Sequence, residues 1–181
     1  MEGLKTAIRY SIKPHQLGLC GPQKGNTAQI LLDFLSGKDT PEKKVREILE
    51  QFEGSYAYYK LIAKSNNIGD PFDEQVVRAY WIGNELLNNV PVKELRKMIQ
   101  ERFKMPEKAK LIPGWAKPHH SFHVMMIGSV TGRIKFNDRL RKLCVISWRK
   151  NGDDFISYHW GKPCEVLNQE AVEDLKKYTV T

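Results

Sequence analysis

Residues 143–162, LCVISWRKNGDDFISYHWGK, decide the fold class. Two runs rich in β-branched and aromatic residues flank Asn151 and Gly152. That pair tolerates the positive φ angles of a tight type I′ turn, so the stretch predicts a β-hairpin. The following CEVL, 164–167, supplies a third strand, and Asn168 stands where a short terminal helix needs its cap. Upstream of residue 104 the apolar residues recur at helical spacing instead. The chain therefore reads as α+β, a mainly helical body of about five helices followed by a small antiparallel hairpin or three-stranded sheet.

The change of period falls in KMPEKAKLIPGWAKP, 104–118, where three prolines interrupt the helical pattern. This linker divides a helical domain, 1–117, from a histidine segment with the β region and terminal helix, 118–181, which fold as one compact domain or as two units. Residues 4–12 form a short helix that Pro14 ends, because proline disfavours helix in the residue before it. A Gly- and Pro-dense loop, HQLGLCGPQKGN, follows at 15–26. Asn26 or Thr27 caps a helix to about Ser36, and Thr40 with Pro41 starts another to about Phe52. After the short first helix and these two, a third longer one runs from near Gly54 towards Gly69. Asp73 caps a fourth through EQVVRAYWIGNELLNN, and a fifth follows Pro91. Gly83 falls inside the fourth, where glycine costs about 1 kcal/mol relative to alanine. Something must approach closely there, either a packed helix or a ligand.

The 181 residues are 41% hydrophobic, enough for a real core. No run of 18 apolar residues exists, so no membrane helix is expected. The start, MEGLKTAIRY, lacks the apolar core and cleavage site of a signal peptide, which points to a cytoplasmic protein. Net charge is +8 and the pI about 9.3. Acids mingle with the bases, as in PEKKVREILEQFE, the pattern of solvated helix faces. The densest basic stretches, RIKFNDRLRK at 133–142 and Lys93–Lys110, are where a polyanion such as nucleic acid would bind. Three cysteines without a CxxC pair exclude a disulfide framework and a zinc knuckle.

Three of the five histidines crowd into PHHSFHV, 118–124. His119 and His123 are four apart and share a face in a helix or a strand; His120 joins them only in a helix. Neutral imidazoles at this spacing suit zinc, iron or nickel. The zincin pattern fails because His120 stands where its glutamate belongs. A third ligand would come from His15, Cys20, His159, Cys144 or Cys164, with His15 and Cys20 preferred. Without a metal, the imidazoles, His120 among them, could serve as acid–base groups, and Cys20 as a nucleophile. The bland alternatives are surface hydrogen bonds for the histidines and a small residue filling a tight loop for Cys20. Tyr80 and Asn84, beside Gly83, are the positions expected to flank a bound group. Tyr56, Tyr58, Tyr59, Tyr80 and Trp81 could stack on bases, but such spacing more often builds a core. The spacing of GPQKGN and the lack of a preceding strand exclude a phosphate loop.

Several of these stretches together, YSIKPHQLGLCGP, DPFDEQVVRAYWIGNELL and PHHSFHV, resemble an uncharacterised prokaryotic family. Its motifs read P-x-x-L-G-x-C-G-P, A-Y-W-x-G-N and P-H-H-x-F-H-V. The resemblance implies an association with nickel–iron hydrogenase genes, and so a metalloenzyme subunit as partner. The tail, CVISWRKNGDDFISYHW, is similar to the small β-barrel chaperones of hydrogenase maturation, which hold iron with a cysteine. Their cysteine is amino-terminal, whereas Cys144 is internal. Two function classes follow: a metal- or thiol-dependent accessory or maturation factor, enzyme or not, and a basic nucleic-acid-binding module without catalysis.

Overall fold

The structure, a computed structural model, describes residues 1–103 and 147–178. Its elements run α1 (Glu2–Gln16), α2 (Thr27–Leu35), α3 (Glu42–Leu49), α4 (Tyr56–Ser65), α5 (Glu74–Trp81), a 3₁₀ helix (Glu85–Asn89) and α6 (Val92–Phe103). Then come β1 (Ser147–Asn151), β2 (Asp154–His159), β3 (Lys162–Leu167) and α7 (Gln169–Tyr178). The protein is thus mainly helical α+β, and its described strands form an antiparallel sheet in the order β1-β2-β3.

Helix α1 is the hub. It packs against α2, α3, α5, β2 and β3, and Leu4, Ile8, Tyr10 and Ile12 on it are wholly buried. Only the stripe Glu2, Lys5, Arg9, Lys13 and Gln16 stays exposed or partly so, and Thr6, Ser11 and His15 fall on the covered sides and are buried. The core continues without a break from these residues through Leu31, Val45, Phe52, Val76 and Val77 to Leu167, Val172 and Leu175. The sheet and α7 therefore close over the same apolar centre as the helices.

Helix α1 does not stop before Pro14, as the sequence reading expects; it runs on to Gln16 with the proline inside its last turns. The cost of an internal proline is a lost N–H and a stranded carbonyl four residues back. That carbonyl belongs to Tyr10, and the buried ring of His159 donates to it from Nδ1. A strand residue 149 positions away thus fills the vacancy the proline makes.

The first hairpin turn differs from the sequence expectation. The pair Asn151↔Asp154 closes the first hairpin, so its central residues are Gly152 and Asp153, one position later than expected. Of these two only Gly152 has positive φ, +63°, which is the demand of a type II′ turn rather than type I′. The second hairpin, closed by His159↔Lys162, has Trp160 at φ +54° and Gly161 at +72°. Two successive positive values are the type I′ pattern, here with a tryptophan in a region bulky residues avoid.

Helix α5 ends at Trp81, eight residues short of the expected boundary. Gly83 takes φ +103°, and its N–H and that of Ile82 both reach the Arg78 carbonyl. The close approach at Gly83 is a helix: a Cβ there would lie 2.6 Å from Cβ of Tyr178 on α7. No described helix is long and apolar enough to cross a membrane.

Candidate functional site

The loop after α1 gathers the first group of expected site residues. His15, in the last turn of α1, is buried beside Phe52, with ring centroids 5.1 Å apart. Its Nδ1–H donates to the Cys20 carbonyl at 2.9 Å, since a carbonyl only accepts. Its Nε2 meets the Thr27 hydroxyl at 3.0 Å, at the first residue of α2. One imidazole thus staples the loop shut at both ends. Gly21, φ +78°, lets the loop lie flat on Phe52, whose ring a Cβ would meet at 2.7 Å.

Cys20 packs against the core from this loop. Burial pushes its thiol up to about 11, against the smaller opposing pull of the Gly54 and Gly21 amides. A free thiol in this setting is held in its protonated form, the poorer nucleophile.

Tyr80 reaches the same neighbourhood, its hydroxyl donating to the Gly54 carbonyl at 2.8 Å. Burial, with the nearby Tyr58 and Tyr59 phenols, pushes its ionisation well up. Asn84 is elsewhere. Its Oδ1 accepts from the Leu86 N–H to start the 3₁₀ helix, and its Nδ2 donates to the Gln75 carbonyl. Cys20 and Tyr80 both meet Gly54, His15 reaches the Cys20 carbonyl, and Asn84 lies apart. His119, His120, His123 and Cys144 lie outside the described residues. Among the described residues no three His, Cys, Asp or Glu side chains are grouped to hold a metal ion. Both ring nitrogens of His15 are engaged, one with the Cys20 carbonyl and one with the Thr27 hydroxyl.

A second polar cluster escapes the sequence reading. The Tyr10 hydroxyl donates to Glu165 Oε1 at 2.8 Å and lies 2.7 Å from Ser157 Oγ. Ser157 Oγ in turn meets both the carbonyl and the N–H of Glu165, each at 3.2 Å. Arg78 approaches the other carboxylate oxygen at 3.4 Å. Trp81 stacks on Tyr10 at 5.2 Å, and His159 tilts against Trp81. Four elements, α1, α5, β2 and β3, meet in this network. Its members come from distant positions without a shared motif; the one local signal is that Ser157 and His159 alternate onto the same strand face. Nearby, Cys164 donates to the Lys162 carbonyl at 3.4 Å, and burial pushes its thiol up to about 12. Beyond Arg78 a groove of about 500 Å³ opens between α5 and α7, lined by Glu74, Asn84, Val166, Asn168 and Asp174.

A helical α+β protein with a stapled cysteine loop and a buried tyrosine–carboxylate network is the class this arrangement defines. Residues 1–134 match the family of unknown function DUF6390, and the chain belongs to that family. The matched part holds LGLCGP, AYWIGN and PHHSFHV but ends before the sheet. No curated protein and no solved structure matches the chain.

Proposed function

We propose that this protein is a cytoplasmic metal-binding accessory factor serving the maturation of a metalloenzyme, such as a nickel–iron hydrogenase, with His119 and His123 as its ligand pair. One observation carries the reading. Each described imidazole and thiol has internal work: His15 staples the loop, His159 fills the Tyr10 carbonyl, and Cys20 and Cys164 pack partly buried against the core with raised pKa. Of five histidines and three cysteines, that leaves His119, His120, His123 and Cys144 for chemistry. Neutral imidazole nitrogens at a four-residue spacing suit zinc, iron or nickel. Elemental analysis of untagged protein tests this: about one transition-metal ion per chain is expected, lost in His119→Ala and His123→Ala and kept in Cys20→Ser. Protein that takes up none of these metals, or an unchanged metal content in His123→Ala, overturns it. Co-purification with a hydrogenase subunit on co-expression tests the partner.

A second reading, a nucleic-acid-binding module, rests on where the charge lies. Residues 104–146 hold nine lysines and arginines against two acids, so this stretch carries +7 of the chain's +8. The charge is more concentrated than interspersed helix faces suggest. Binding through such a stretch weakens steeply with salt. A labelled RNA or DNA oligonucleotide that shows no salt-sensitive anisotropy change at micromolar protein removes this reading.

A further inference from the structure

We draw no further inference here: the strongest candidate, the polar groove between α5 and α7 beyond the Arg78–Glu165 pair, sets the carboxylates Glu74, Glu170 and Asp174 among neutral side chains, and nothing in the structure points to a ligand in it.

Discussion

His15 and Cys20 are five residues apart and touch through a ring nitrogen and a backbone carbonyl, not through the thiol. Reactive residue types at short spacing are visible in a sequence; which atom of each faces the other is not. That direction is set by Phe52 and Gly54, from a segment more than thirty positions away. Cys20 should accordingly behave as an inert core thiol. With its pKa raised to about 11, alkylation by iodoacetamide at pH 7.5 should run at least tenfold slower than in the urea-unfolded chain. The rate is followed by mass spectrometry of the Cys20 peptide, and equal rates in both states would contradict the buried thiol. The Arg46 guanidinium makes two 2.9 Å bonds to Asp70 and one of 2.8 Å to Glu42. Hydrogen bonding to Arg46 is the largest cause holding the Asp70 carboxyl below its ordinary value. A depressed acid stabilises the fold above the unfolded pKa, near 4, and that contribution fades as pH falls through the folded value. Arg46→Gln should therefore lower Tm at pH 7, modestly because the pair is half-exposed. The gap between variant and parent should narrow in thermal melts taken below pH 3. A gap that stays constant with pH would assign the effect to packing of Arg46 on Phe72 instead.

Most elements were legible because local chemistry fixes them. Asp73 accepts from the Gln75 N–H, Asn168 accepts from the Ala171 N–H, and both caps can be read from residue type and spacing. The two misread helix ends have another cause: a partner from far along the chain changed the local balance. Pro14 stays inside α1 because His159 answers the stranded Tyr10 carbonyl, and α5 stops early because Gly83 must clear Tyr178. Trp160 holds φ +54° while only 8% exposed, so burial of its ring offsets a backbone cost of about 1–3 kcal/mol. Gly83 offers the sharpest test at this scale. Alanine there meets both a positive φ and a Cβ contact of 2.6 Å with another Cβ, which cannot swing aside. Strain and overpacking together should cost about 2–4 kcal/mol, a Tm drop on the order of 5–10 °C in a chain this long. Gly69→Ala is the control, since nothing lies within 4 Å of its added Cβ. A Gly83→Ala variant as stable as the control would mean that α5 and α7 do not approach as described.

The helical body and the sheet are held together by more than apolar contact. Tyr10 on α1 gives its hydroxyl to Glu165 on β3 and meets Ser157 on β2, while Arg78 on α5 approaches the same carboxylate. No sequence pattern announces this network, because its members meet only once the chain has folded. Buried polar groups that lose one partner keep their desolvation cost, so Tyr10→Phe should destabilise by about 1–3 kcal/mol although it removes a single oxygen. Its ring still fills the space beside Trp81, which keeps cavity formation out of the result. Glu165→Gln alone should cost a similar amount, and the double variant less than the sum, because the two side chains share one interaction. A coupling of 0.5 kcal/mol or more in urea melts is the expected reading, and strict additivity would dissolve the network into independent contacts. The same melts report on the whole molecule. Since one core runs from Leu4 to Leu175, indole fluorescence and far-ultraviolet circular dichroism should move together in a single transition for the parent protein. In Tyr10→Phe both probes should shift to the same lower midpoint. If fluorescence shifted while the helical signal held, the sheet and α7 would be unfolding from a helical body that survives without them, and the network would be a local latch rather than part of one cooperative fold.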